Sequence, residues 1–212
     1  MRILAQTLTL ILLLAFSAHA QHSLNVNIGP SFPMNDYGSE DVQTGGYAKT
    51  GFQGGLDYIN TFGQVMGMRA KAEFAAHNLN AEAAASDLAG NTAVSSNFSL
   101  NEPTYTNFYL LMGPNAAVQS GKLSFHFSFT GGIMITKNPK MEFDGTISSF
   151  SGVQANLSGE VEENTNTSFA YNLSGGLAYQ VSSLINLNFD VGFYGANHTF
   201  EDTETETFAT VV

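Results

Sequence analysis

The chain has 212 residues and a formal net charge of -11, from 18 Asp and Glu against 7 Lys and Arg. That balance argues against nucleic-acid binding, which needs a basic patch. Cys is absent, which excludes disulfides, thiolate metal sites and Cys nucleophiles, while 21 Gly, 17 Phe and 8 Tyr fit many short strands joined by tight turns.

In chain order, the first segment is MRILAQTLTLILLLAFSAHA. Arg2 supplies a positive start, Leu8 to Phe16 an apolar stretch, and Ala18-His19-Ala20 a small-x-small pattern. This pattern reads as a secretory signal peptide over residues 1–20, cleaved between Ala20 and Gln21. The stretch is too short for a spanning helix. No Cys follows the cleavage site, so a lipoprotein anchor is excluded. Residues 21–212 are then one domain.

Beyond the signal no stretch has convincing helical periodicity, and alternation dominates. Seven runs carry it. Ser23 to Phe32 alternates Leu24, Val26 and Ile28 with Ser23, Asn25 and Asn27. Lys49 to Asn60 sets Phe52, Leu56 and Tyr58 against Gln53, Gly55 and Asp57. Gln64 to His77 sets Met66, Met68, Ala70, Ala72 and Phe74 against Gly67, Arg69, Lys71 and Glu73. Thr104 to Val118 sets Phe108, Leu110 and Met112 against Asn107, Tyr109 and Gly113. Lys122 to Thr136 is the clearest, with Leu123, Phe125, Phe127, Phe129, Ile133 and Ile135 opposing Ser124, His126, Ser128, Thr130 and Gly132. Ser168 to Val181 and Leu184 to Tyr194 repeat the pattern.

These runs are about as long as a tilted membrane-spanning strand, roughly 9–11 residues. Short turns follow the second, fourth and sixth runs, near Thr61-Phe62-Gly63, Gln119-Ser120-Gly121 and Ser182-Ser183. The other connections are long: Pro33 to Ala48, Leu79 to Pro103, Lys137 to Thr167, and the tail from Glu201. Short turns at one rim and long loops at the other are the plan of an outer-membrane barrel, with an apolar face toward lipid and a polar face inward. Closure satisfies the backbone groups that lipid cannot. A soluble β-sandwich also alternates and is the competing reading.

Strand charges share the polar parity: Asp57, Arg69, Lys71, Glu73 and Asp190. Most other acids fall in the long connections, among them Glu142, Asp144, Glu160, Glu162, Glu163, Glu201 and Asp202.

The stretches SLNVNIGPSFP, GFQGGLDY, NFYLLMGPNAAV and KLSFHFSFTGGI resemble strands of the small outer-membrane β-barrel family that includes the OmpA-type barrel domain. The resemblance covers about Gln21 to Phe200. It implies an all-β, up-and-down antiparallel transmembrane barrel of eight strands, exported by the general secretory pathway to the bacterial outer membrane. Lipid, lipopolysaccharide and the barrel-assembly machinery are the implied partners, and no cofactor is implied. Seven runs is an odd count, and single-chain bacterial barrels are even. Family members end on a strand with a terminal aromatic residue, and ETETFATVV does not. The expectation is therefore a C-terminally incomplete barrel domain over 21–212. Glu201 onward begins a fourth long loop, and Phe208 to Val212 start the eighth strand.

Two groups of residues are candidate sites. Asp57, Arg69, Lys71 and Glu73 lie on neighbouring strands facing one interior, as an ion-pair network that plugs the barrel or as a gate in a narrow polar lumen. The fork of Arg69 suits two carboxylates. His126 and Asp190 are further inward polar residues. His126 and Ser128 share a face and faintly resemble the His and Ser of outer-membrane lipid A deacylases, though Phe129 stands where that family has Asn and the pair faces away from lipid. No metal site is expected, since the acidic segments match no calcium loop. The expected function is a non-enzymatic structural barrel whose acidic loops contact a surface ligand. A small-solute porin is the alternative, and a lipid A-modifying hydrolase is the third reading.

Overall fold

A computed structural model describes residues 21–40, 45–62, 64–90, 95–148, 154–182, 186–196 and 205–211. Residues 1–20, where a signal peptide is expected, lie outside the described residues, as do Asp41, Glu201, Asp202 and Glu204.

Every one of the seven alternating runs is a strand. They are β1 (Gln21–Ser31), β2 (Gly51–Phe62), β3 (Met66–Asn78), β5 (Thr104–Ser120), β6 (Leu123–Asn138), β9 (Asn164–Gln180) and β10 (Asn186–Ala196). They form one antiparallel sheet in the order β1-β2-β3-β5-β6-β9-β10. Neighbours in the sheet are neighbours among the runs, so the topology is up-and-down. The sheet curls so far that Tyr194 on β10 bonds Lys71 on β3, four places away in the order.

Glycine placement permits the curl. The pairs Gly54-Gly55, Gly131-Gly132 and Gly175-Gly176 each put one member on either face. A Cβ added at Gly55 would lie 2.7 Å from the Glu73 Cα, and at Gly132 it would lie 3.0 Å from the Leu111 Cα. Both would also press on a backbone carbonyl of the next strand, of Ala72 and Leu110 respectively. The outward members Gly54, Gly131 and Gly175 have their nearest atoms at 3.2, 3.4 and 3.5 Å. The concave face therefore has no room for a side chain at these points. Gly132→Ala is expected to cost about 1–3 kcal/mol through overpacking and Gly131→Ala far less, read from urea unfolding midpoints of the refolded protein.

The long connections hold more order than the sequence suggested. Asn35–Tyr37 is a single 3-10 turn. Residues 79–103 contain a helix, α1 (Ala81–Gly90), and a strand, β4 (Ser95–Leu100). The expectation of no helix fails here. α1 is rich in Ala, the best helix former, but Ala gives only a faint apolar stripe. The connection 137–167 is the hairpin β7 (Met141–Ser148) and β8 (Gln154–Val161). Near the end, β11 (Thr205–Val211) pairs with β8. The four form a second sheet in the order β4-β7-β8-β11.

This second sheet continues the first upward. Asn138 pairs with Asn164 and Met141 with Val161, in unbroken register. Thr106 pairs with Lys137 and Leu100 with Phe143, again in register. Ala196 pairs with Ala170 and Thr205 with Val161. β4, β7, β8 and β11 thus extend β5, β6, β9 and β10. This corrects the assignment of Phe208 to Val212 as the start of an eighth strand: residues 208–211 carry the seventh strand upward, and Val212 lies outside the described residues.

Burial on the lower sheet is inverted relative to a water-soluble fold. Asp57, Arg69, Lys71, Glu73, Asn107, Asn115, Ser128, Thr130, Asn172 and Ser174 are buried on the concave face. The convex face leaves Leu24, Val26, Ile28, Phe125, Phe127, Phe129, Leu187, Phe189 and Val191 exposed, Phe127 by 54%. Above the mouth lies an ordinary apolar core. Tyr47, Ala48, Leu79, Ala81 and Tyr105 cluster there, with Tyr37, Ala84, Leu100 and Met141 packed on them.

Candidate functional site

The concave face holds a network built by parity and curvature together. Odd-numbered positions of β2 and β3 point inward, and this places Asp57, Arg69, Lys71 and Glu73 side by side. Asp57 is the register partner of Lys71, yet its ion pair is with the diagonal neighbour Arg69. The Arg69 Nε donates to Asp57 Oδ2 at 3.0 Å and its Nη2 pairs with the same oxygen. Both side chains are at most 2% exposed. Asp57 Oδ1 has no protein partner, so Arg69 supplies the compensation for that buried carboxylate.

The other end of the guanidinium reaches across the sheet. Nη1 donates to Ser128 Oγ at 3.4 Å, and Nη2 lies 3.7 Å from Asp190 Oδ2. Asp190 in turn bonds the His126 Nε2. One Arg thereby joins strands β2, β3, β6 and β10. The fork geometry is what permits this, and a Lys point charge would not replace it.

Lys71 makes the second half of the network. Its Nζ lies 3.3 Å from Glu73 Oε1 and donates to Asn172 Oδ1 at 3.1 Å and Tyr194 OH at 2.9 Å. The Tyr194 hydroxyl donates to Glu73 Oε2, and Asn27 Nδ2 donates to Glu73 Oε1 at 3.1 Å. Side chains of the two edge strands, β1 and β10, thus converge on one carboxylate.

The six inward residues named from the sequence lie on the concave face in two bonded groups, Asp57, Arg69, Asp190 and His126 in one and Lys71 and Glu73 in the other. His126 and Ser128 share the concave face without bonding each other. Ser128 Oγ is shared with Ser174 Oγ at 2.8 Å and with Arg69, while His126 is held by Asp190. A nucleophile and its base need to be within hydrogen-bond reach, and this pair is not so joined. Among the described residues no three His, Asp or Glu side chains converge to hold a metal ion.

The alternation alone did not single out Tyr194, Asn172 and Asn27. Each has the inward parity, so the face was legible, but partners four strands away depend on the curl. An apolar layer was also missed. Leu111, Met134 and Ala170 are buried on the concave face, with Tyr109 and Tyr194 packed against them. Leu111 interrupts no alternation, because apolar residues flank it on both sides.

Above this layer Tyr37 reaches the mouth. Its hydroxyl accepts from Asn107 Nδ2 at 3.2 Å, and its ring packs edge-on to His77 and Tyr105. Burial pushes its phenol pKa upward, so the group stays neutral.

Comparison with models of protein families, with curated proteins and with solved structures finds no match for this chain.

Proposed function

We propose that this chain is a non-enzymatic β-barrel protein of the bacterial outer membrane, with a sealed interior and an ordered surface cap that contacts ligands or other cells. The observation that carries the reading is the inverted burial: charged and amide side chains fill the inside while Phe, Leu, Ile and Val cover the outside. In water such a face would be covered by protein, whereas lipid covers it at no cost. The secretory pattern of residues 1–20 supports export. Among the described residues no helix is long and apolar enough to cross a membrane, and the proposed crossing is by strands.

Strand direction supports closure. β1 and β10 both ascend from the short-turn rim, so they cannot pair antiparallel with each other. Antiparallel closure into the eight-stranded barrel of this proposal takes one descending strand that pairs with both.

The interior favours a plug over a pore. The Arg69 and Lys71 side chains lie on the concave face beside buried Leu111, Met134 and Ala170, Tyr194 touches both sets, and Tyr37 packs nearby on Tyr105. Small barrels are commonly filled in this way. In planar bilayers the refolded protein is expected to give no steady openings, and stepwise conductance would move the reading to a small-solute porin. On unheated gels the folded barrel is expected to migrate apart from the boiled chain. Identical mobility would favour a soluble sandwich.

A further inference from the structure

The two stacked sheets share one apolar face but cover it differently. On β6 the odd-numbered positions Leu123, Phe125, Phe127, Phe129 and Ile133 are apolar and bare, with Phe129 50% exposed. The same parity on β7 carries Met141 and Phe143, which are half-buried, and Met141 packs on the cap cluster. The even-numbered face reverses in step. It is buried on β6 at Ser128 and Thr130, and exposed on β7 at Glu142 and Asp144. Register is unbroken through the change. The chain therefore covers its own apolar face above one level and leaves it bare below.

That level is marked three times. The strands break together at residues 101–103, 139–140 and 162–163. Ion pairs of both signs gather there: Lys137 with Glu163 at 2.9 Å, and Lys140 with Glu160 at 2.7 Å and Glu142 at 3.1 Å. Glu160 and then Glu142 raise the Lys140 pKa, so its ammonium stays charged in neutral solution.

We propose that this level is the membrane surface: the headgroup layer of the bilayer meets the protein at Lys137 and Lys140, and the β4-β7-β8-β11 sheet with α1 stands wholly in water. The inference rests on the membrane reading above. Height supports it. On β6 the outward apolar stretch from Leu123 to the half-buried Ile135 is 13 residues long, bounded by Lys122 and Lys137. At about 3.3 Å per residue and a tilt of about 45°, it rises roughly 28 Å, close to a hydrocarbon core of about 25–30 Å.

The test is site-directed spin labelling of the full chain refolded into phosphatidylcholine vesicles. The chain has no Cys, so single substitutions Phe127→Cys, Ile133→Cys, Lys137→Cys and Phe143→Cys, all of one parity, each carry one label. Relaxation by oxygen is expected to dominate at 127 and 133. Relaxation by a water-soluble nickel chelate is expected to dominate at 143, with the crossover at 137. Lipid-like behaviour at 143, or chelate access at 133, would overturn the placement while leaving the membrane reading intact. Chelate access at all four positions would overturn the membrane reading itself.

Discussion

Arg69→Met is expected to lower the unfolding free energy by about 3–5 kcal/mol, the usual cost of stranding one partner of a buried ion pair. The loss is large because Asp57 is 1% exposed and bonded by Arg69 through one oxygen, with the other unpartnered. Asp190 would lose a cation as well. The double variant Asp57→Leu with Arg69→Met removes both charges and is expected to recover most of the loss, since buried pairs often contribute little against apolar residues of similar volume. Urea unfolding in vesicles reads both. A single variant within about 0.5 kcal/mol of the parent, the range of ordinary surface changes, would mean that the network does not hold the interior together.

The second large effect separates lipid from water on the convex face of the curled sheet. Phe129 sits midway along the bare stretch of β6, and Phe129→Arg is expected to cost about 2–4 kcal/mol in vesicles, as a charge at the bilayer midplane does. Were that face in water, the same change would fall within about 0.5 kcal/mol. Lys137 already stands on this face at the upper limit of the stretch, so a charge near that level is expected to be tolerated.

How far the sequence carried these conclusions depends on what each feature rests on. The seven lower strands were legible because a sheet with one apolar and one polar face repeats every two residues, and Phe125 to Ile135 repeat it with little interruption. The inward set from Asp57 to Asp190 was legible for the same reason. Which inward residues touch was not, because parity gives a face and no partner. Arg69 meets Asp190, and Lys71 meets Tyr194, only once the sheet has curled. α1 was hidden by its Ala content. The upper strands were hidden differently: Met141-Glu142-Phe143-Asp144 alternates plainly, but its acids made it resemble a solvated loop. Those acids mark a sheet whose polar face meets solvent.

The convex face is proposed to meet lipid, and the chain has no Trp, so any Trp introduced is a unique reporter. Single variants Phe127→Trp and Phe189→Trp place it on the convex face, and Ser124→Trp and Ala178→Trp on the concave one. In vesicles of lipid brominated along the acyl chain, the first two are expected to be strongly quenched and the second two spared. Equal quenching at all four, or none at 127 and 189, would contradict the account.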